Sequence, residues 1–319
     1  MEPERNLAKE LAALDVGEVR VAEPLRNHGT WRIGGPADAL VEPGSVAQLG
    51  RLRQYIHDHG IASIIIGEGS NLLFDDDGFR GVVVKIGRCL SAVEMDGRTV
   101  RAEAGVSVPR LARAVGLAGL TGIEHTVGIP GTLGGLIIMN GGSQRKNIAD
   151  SIVAVEAMES RGAIIRMKRD DCGFARRRSA FQGSPLMVVG AELELDYDDP
   201  AAIQQRMLAI LRDRRRKFPR DLPNCGSVFV SGGDLFHRFG PPGKVIEEAG
   251  LKGLTVGGAQ VSHRHANFIV NTGNATAADV RELIHRVRTA IHERTGIWMD
   301  CEVRHLLPDG RTRPAHEGL

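Results

Sequence analysis

The chain has 319 residues, more than one average domain, and its 42% hydrophobic and 25% charged residues match a soluble globular protein. Forty-one basic against 39 acidic side chains leave +2, too small a balance to argue for nucleic acid or an anionic membrane as partner. No apolar run approaches the length of a membrane span, and the charged start MEPERNLAKELAALDVGE lacks a signal-peptide core, so neither insertion nor secretion is expected.

In chain order, the charged start reads as a helix, DALVEP as a strand, and SVAQLGRLRQYIHDHG as a helix capped by Ser45 with Val46, Leu49, Leu52 and Ile56 on one face. ASIII is a strand running into GEGSNLLFDDDGFRG, and GVVVKI resumes extended structure, making 1–88 a first α/β unit. SAVEMDGRTVRAEAG reads as two strands joined at Asp96-Gly97. A helix near VPRLARAVGLAG follows, then a glycine-rich stretch, the hairpin IVAVEAMESRGAIIRMKR and the strand PLMVVGAELEL, a second unit over 89–215. The helix AAIQQRMLAILRDRRRK leads out through Phe218-Pro219. A third unit over 216–305 holds GKVIEEAGLKG, the strand NFIVN, the long helix ATAADVRELIHRVRTAIHERTG and the strand MDCEVRHL, and 306–319 reads as a frayed tail.

Cys89, Cys172, Cys225 and Cys301 show no CxxC spacing, and His263 and His265 lack a third ligand at metal spacing, so no metal site and no disulfide framework is expected. Reduced thiols suit a cytoplasmic protein.

Two glycine clusters stand out. VGIPGTLGGLIIMNGG places six of its sixteen residues as glycine, and GEGSN closes a strand. Glycine permits φ > 0 and close approach of backbone to a ligand, leaving N–H groups free for phosphate oxygens. GEGSN lacks the Lys-Ser/Thr pair of a P-loop, and neither cluster reads GxGxxG opening a helix, which argues against a nucleotidase and a dinucleotide fold. Ser70, Asn71, Thr132 and Asn140 add hydrogen-bonding groups that a bare turn does not need, pointing to a large planar ligand bearing a diphosphate.

GEGSNLL, GIPGTLGG with MNGG, CGSVF, VIEEAGLKG, GGAQVSHRHANFIVNTGNAT and CEVR occur in order between about Thr30 and Arg304, and the series resembles the UDP-N-acetylenolpyruvoylglucosamine reductase family, in its shorter subclass. The resemblance implies an α+β chain. Its FAD-binding fold would be of the vanillyl-alcohol-oxidase/PCMH type in two α/β subdomains, followed by a C-terminal α/β substrate-binding domain. It implies non-covalent FAD contacted by Gly67, Gly69, Ser70, Asn71, Leu72, Gly128, Ile129, Gly131, Thr132, Gly135 and Asn140, with His125 open as an attachment point. NADPH would be the hydride donor. The implied partner is a small nucleotide-sugar substrate, with neither nucleic acid nor membrane, for a cytoplasmic monomer in peptidoglycan precursor synthesis.

Reducing an enolpyruvyl ether needs a hydride at the terminal vinyl carbon, a proton at the carbon bearing the carboxylate, and a group to stabilise the charge between. By the resemblance, Arg177 in CGFARRRSAF clamps the carboxylate with its bidentate fork, Ser227 in CGSVF delivers the proton, and Glu302 in CEVR assists the enolic state, with a raised pKa if it donates a hydrogen bond. Lys217, Gln260 and Asn267 match substrate contacts. Taken singly, Arg177 would read as a solvated charge, Ser227 as a turn serine and Glu302 as an exposed carboxylate; their joint order reverses this. The family pattern is broken where Arg176 replaces an aromatic, where VSGGDLF, containing Ser231, replaces Lys-Asn-Pro, where Gly141 to Ser143 replace Ala-Gly-Ala, and where GLIIMN is bulkier than the usual start. These changes leave open a paralogue acting on another nucleotide sugar; a binding protein without turnover is the second reading, and an oxygen-using flavin oxidase of the same broad fold a third that no covalent-flavin signal favours.

Overall fold

The computed structural model describes residues 7–319. The chain divides into two compact units. One gathers the N-terminal stretch to Val21, Ala39–Glu68 and Val82–Arg214; the other gathers Ala22–Asp38, Gly69–Gly81 and Arg215–Leu319. Two early segments thus cluster with the C-terminal part, an arrangement that consecutive boundaries at 88, 215 and 305 do not anticipate.

The first unit begins with the short helix Leu7–Ala13; the first six residues of the expected helix lie outside the described ones. A four-stranded sheet runs in the order Glu18–Pro24, Pro36–Glu42, Phe79–Lys85, Ser63–Ile66, and its last two strands pair in parallel from Ser63 with Val82 to Ile66 with Lys85. The helix Val46–Asp58 forms because Ser45 Oγ accepts the Gln48 N–H at 3.2 Å and because Leu49, Leu52 and Ile56 recur on one apolar face. Arg53 is buried with them and donates to the Pro185 carbonyl at 2.7 Å.

A five-stranded antiparallel sheet follows, in the order Ile164–Lys168, Ile152–Met158, Met187–Glu194, Thr99–Glu103, Val93–Asp96. Its central strand Met187–Glu194 is buried along most of its length, whereas Ile152–Met158 exposes Val153 and Glu156. One core joins Val41, Leu49 and Val84 to Val100, Val155 and Leu193, so the two subdomains expected from the sequence share a single interior. A smaller cluster sets Ile203, Met207 and Ile210 of the helix Pro200–Lys217 against Ala112 and Val127, just before the second glycine loop.

The second unit is organised by the helix Ala277–Thr295, which buries Val280, Leu283, Ile284, Val287 and Ile291. Thr276 and Asp279 form a capping box, Gly296 ends the helix at φ +72°, and the Asp76 carboxylate accepts from Ala277 N–H at 2.7 Å and Ala278 N–H at 3.0 Å. A sheet in the order Thr255–Val256, Ala259–Val261, Ile269–Asn271 packs with it. A second sheet runs in the order Thr312–Pro314, Arg304–Leu306, Leu72–Phe74. The tail is therefore not frayed: Thr312–Pro314 is an edge strand, Ala315 is fully buried, and the Arg281 guanidinium donates to the carbonyls of Glu317 and Gly318. Of the expected strand MDCEVRHL only Arg304–Leu306 is a strand; Cys301 makes an isolated bridge with Phe229. Among the described residues no helix is long and apolar enough to cross a membrane.

Candidate active site

In the first unit the two glycine loops touch. A Cβ at Gly67 would lie 2.4 Å from Thr132 Oγ1, closer than carbon and oxygen can approach. Thr132, itself buried, caps the short helix Leu133–Ile138 by accepting from Gly135 N–H at 3.4 Å. Gly128 is covered by the Arg214 side chain, whose Cδ would lie 2.3 Å from a Cβ there. Gly131 holds φ +121° while its carbonyl accepts from Val108 N–H at 3.0 Å. Ile129 is half-buried, its N–H donating to Thr126. Gly135 is exposed, and a Cβ there would meet only Thr132 Oγ1 at 3.6 Å. Much of the glycine content thus lets protein approach protein, with Gly135 as an outward face.

Glu124 precedes this loop by four residues and holds Thr121, Gly122 and Arg206. Burial pushes its pKa up, but hydrogen bonds from the Thr121 hydroxyl, the Gly122 N–H and Arg206 outweigh burial and hold it at about 2. Arg206 reaches it at 2.9 Å from the helix Pro200–Lys217 and also binds Asp198 at 2.6 Å. His125, in the turn Glu124–Thr126, is buried; burial first, then Lys146, lowers its pKa, so the imidazole is neutral at pH 7.

The segment after the loop carries Arg177. Ala175 and Arg178 exchange backbone hydrogen bonds at 3.0 and 3.1 Å, which leaves Arg176 and Arg177 at the tip of a tight turn with Arg177 at φ +55°. Asn140, buried and at φ +40°, donates to the Ala175 carbonyl at 2.9 Å and accepts from Ala149 N–H at 3.3 Å. Ser179 Oγ donates to the Ile138 carbonyl at 2.7 Å, and Gln182 donates to the carbonyls of Ile138 and Arg177. The turn bearing the cation is thereby tied to the end of the glycine-loop helix.

The second unit brings Ser227 and Glu302 onto adjoining backbones. Glu302 N–H donates to the Val228 carbonyl at 2.8 Å, and Val230 N–H donates to the Asp300 carbonyl at 2.9 Å. Asn267, buried, accepts from Phe229 N–H at 2.9 Å, donates to the Phe229 carbonyl at 3.0 Å, and takes Val228 N–H on its own carbonyl at 2.9 Å. Asn71 donates to the Glu302 carbonyl at 3.1 Å and accepts on its backbone carbonyl from Arg304 N–H at 3.1 Å. Leu72 is opposite Arg304 in the parallel ladder. Gly69, at φ +59°, is needed because a Cβ would lie 2.4 Å from the His28 carbonyl oxygen; Ser70 beside it is half-buried. The Cys225 thiol is buried, and burial first, then the Glu302 carboxylate and Cys301, pushes its pKa well up.

Lys217 is exposed at the end of its helix. Its neighbour Phe218 is anchored, stacked on Phe268 at 4.9 Å and edge-on to His265 at 5.2 Å. Gln260 sits on the strand Ala259–Val261 and donates to Thr255 Oγ1 at 3.0 Å. Arg206 carries no signal in the sequence beyond its place on a helix, whereas Arg214 and Phe218 lie in the basic run Arg212 to Arg220, which reads equally as a solvated helix end and as a functional segment.

The donor set fits a diphosphate-bearing cofactor. The first unit offers an exposed Gly135, where no side chain stands in a ligand's way, and the Arg214 guanidinium beside Gly128. Among the described residues no cluster of histidine, cysteine or acidic side chains could hold a metal ion, and all four cysteines are free.

Both glycine loops fall within a domain that known proteins share. Residues 37–168 match an FAD binding domain, and residues 218–306 match the C-terminal domain of UDP-N-acetylenolpyruvoylglucosamine reductase. The chain is 44% identical to UDP-N-acetylenolpyruvoylglucosamine reductase 1 of Corynebacterium glutamicum, over 92% of this chain and 88% of the relative. It is 38% identical to the reductase of Halalkalibacterium halodurans, over 93% and 97% of the two chains. The crystal structure of the UDP-N-acetylenolpyruvylglucosamine reductase from Thermus caldophilus superposes with a TM-score of 0.76 at 31% identity, covering 90% of this chain and 98% of that one.

Proposed function

The chain belongs to the UDP-N-acetylenolpyruvoylglucosamine reductase family, and on that premise we propose that it reduces UDP-N-acetylglucosamine enolpyruvate to UDP-N-acetylmuramate, with non-covalent FAD as cofactor and NADPH as hydride donor. The observation that carries the reading is the backbone pairing of Glu302 with Val228, which sets the Ser227 and Glu302 segments side by side although they are far apart in sequence. Bound FAD supplies the hydride, taken from NADPH, that the terminal vinyl carbon receives. Arg177 holds the substrate carboxylate through two parallel charge-assisted hydrogen bonds and so stabilises the charge that develops beside it. Ser227 gives its hydroxyl proton to the carbon bearing that carboxylate, and Glu302 assists the enolic state. Lys217 and Gln260 bind the nucleotide sugar. Residues 37–168 hold the cofactor and residues 216–305 the substrate. The same reading makes the protein a cytoplasmic monomer of peptidoglycan precursor synthesis, serving cell-wall biogenesis, cell shape and division.

The test separates the two half-reactions. NADPH should bleach the flavin under anaerobic conditions, and the enolpyruvyl nucleotide should restore its colour. Ser227→Ala should leave the first step nearly intact and slow the second by about 10²- to 10⁴-fold, the usual cost of removing a general acid. Reduced wild-type protein that stays bleached with this nucleotide would exclude the activity.

A further inference from the structure

We propose that Asn71, Asn140 and Asn267 are positioning residues, each clamping the backbone that carries one of the three side chains assigned to the chemistry. The proposal rests on the reading of Arg177, Ser227 and Glu302 given above. Asn140 holds Ala175, two residues before Arg177. Asn267 takes both the N–H and the carbonyl of Phe229, two residues after Ser227. Asn71 holds the carbonyl of Glu302 itself. The asparagine amide is the shortest neutral side chain offering a donor and an acceptor in one plane, so it can pair with both backbone groups of one residue as a neighbouring strand would. Asn267 does this in full, and Asn140 spans two segments, donating to Ala175 and accepting from Ala149.

The sequence pattern assigns all three to ligands. Asn140 and Asn267 are each 4% exposed, with both ends of the amide committed to backbone, which suits a brace rather than a contact. Asn71 and Asn140 close the two glycine loops, so the segments that line the cofactor also fix Glu302 and the Arg177 turn. Such bracing has leverage, because a misplacement of about 1 Å can cost roughly 10²-fold in rate.

A purely structural asparagine would affect every step alike, whereas a clamp should reproduce the defect of the side chain it holds. Asn140→Asp and Asn267→Asp keep size and acceptor but, once ionised, lose the donated bond, so they are measured at a pH where the carboxylate form prevails. The FAD-loaded enzyme is reduced with NADPH and mixed with increasing enolpyruvyl nucleotide in a stopped-flow instrument, giving a dissociation constant and a limiting rate for the second half-reaction. Asn140→Asp should weaken substrate binding by about tenfold or more and slow the step, as loss of the Arg177 clamp does. Asn267→Asp should slow the step by roughly 10- to 100-fold with the dissociation constant unchanged, as loss of a proton donor does. In an Arg177→Lys background Asn140→Asp should add less than about threefold, since the two act through one group.

Equal defects in both variants, defects equally large in flavin reduction, or multiplicative losses in the double variant would overturn the proposal. If either aspartate variant fails to fold, Asn140→Gly, which keeps the left-handed backbone, and Asn267→Ser take its place. Unfolding of these too would overturn it, because the asparagines would then hold the fold rather than one side chain. Wild-type enzyme that the nucleotide does not reoxidise fails the activity reading itself, and that result is reached before any asparagine variant is compared.

Discussion

Gly67→Ala isolates what glycine does where the two loops meet. Gly67 is not among the residues at positive φ, so alanine meets no backbone penalty there and the perturbation is purely steric. The added methyl would lie 2.4 Å from Thr132 Oγ1, 3.1 Å from its Cγ2 and 3.3 Å from its Cβ. Thr132 must withdraw by roughly 1 Å, yet it is buried and its backbone is bridged to Ser107. Overpacking of this kind costs about 1–3 kcal/mol, and weakening the Thr132 cap on Leu133–Ile138 adds about 1 kcal/mol. A strain of roughly 2–4 kcal/mol borne at the loop corresponds to a loss of about 30- to 10³-fold in FAD affinity. Titration of apoprotein with FAD, followed by quenching of flavin fluorescence, measures it. The contact also names its own suppressor: Thr132→Ala removes Oγ1 and Cγ2, so the double variant should bind FAD as Thr132→Ala alone does, within about 0.5 kcal/mol. Native affinity in Gly67→Ala, or full additivity in the double variant, would refute the steric account.

Acid stability should depend on Glu124. Its folded pKa of about 2 lies below the ordinary 4.5, so the stability it contributes is present above pH 4.5 and is lost as pH falls from there towards 2. The contribution is on the order of 3 kcal/mol at neutral pH. Arg206→Gln should lower stability at pH 7 by about 1–2 kcal/mol and shift the acid loss to higher pH, since one of the bonds depressing that pKa is removed. Urea midpoints from pH 7 to pH 3 check this, and parallel curves for the two proteins would refute it. Arg177→Lys keeps the charge but loses the fork, so it should weaken binding and slow the second half-reaction by at least about tenfold. Arg176→Ala and Arg178→Ala, on the same turn, should lose much less in stopped-flow traces, and equal losses at all three would sink the assignment.

Much of the fold was legible because it is written in short windows. Ser45 with its apolar stripe gives Val46–Asp58, Asp96-Gly97 gives the turn between Val93–Asp96 and Thr99–Glu103, and the capped periodic run gives Ala277–Thr295. The tail was misread because PDGRTRPAHEGL looks like a polar, turn-rich end. What orders it is Arg281 and the strand Arg304–Leu306, neither of which is visible from within the tail. The clustering of Ala22–Asp38 and Gly69–Gly81 with the C-terminal part was hidden for the same reason.

The candidate site divides along the same line, between what a residue offers and what it meets. Glycine announces that a side chain cannot be afforded, not what presses in. At Gly67 that is Thr132, at Gly69 the His28 carbonyl and at Gly128 Arg214, while Gly135 alone of these faces outward. Asparagine announces a paired donor and acceptor, and the partner must be found by folding. Asn140 and Ala175 are 35 residues apart, Asn267 and Phe229 are 38 apart, and Asn71 and Glu302 are 231 apart, all beyond any window of local periodicity. A motif match assigns such a residue to the ligand because the ligand is what the motif is known for. In the structure Asn140 holds the Ala175 carbonyl, Asn267 both backbone groups of Phe229 and Asn71 the Glu302 carbonyl, partners that no local motif announces.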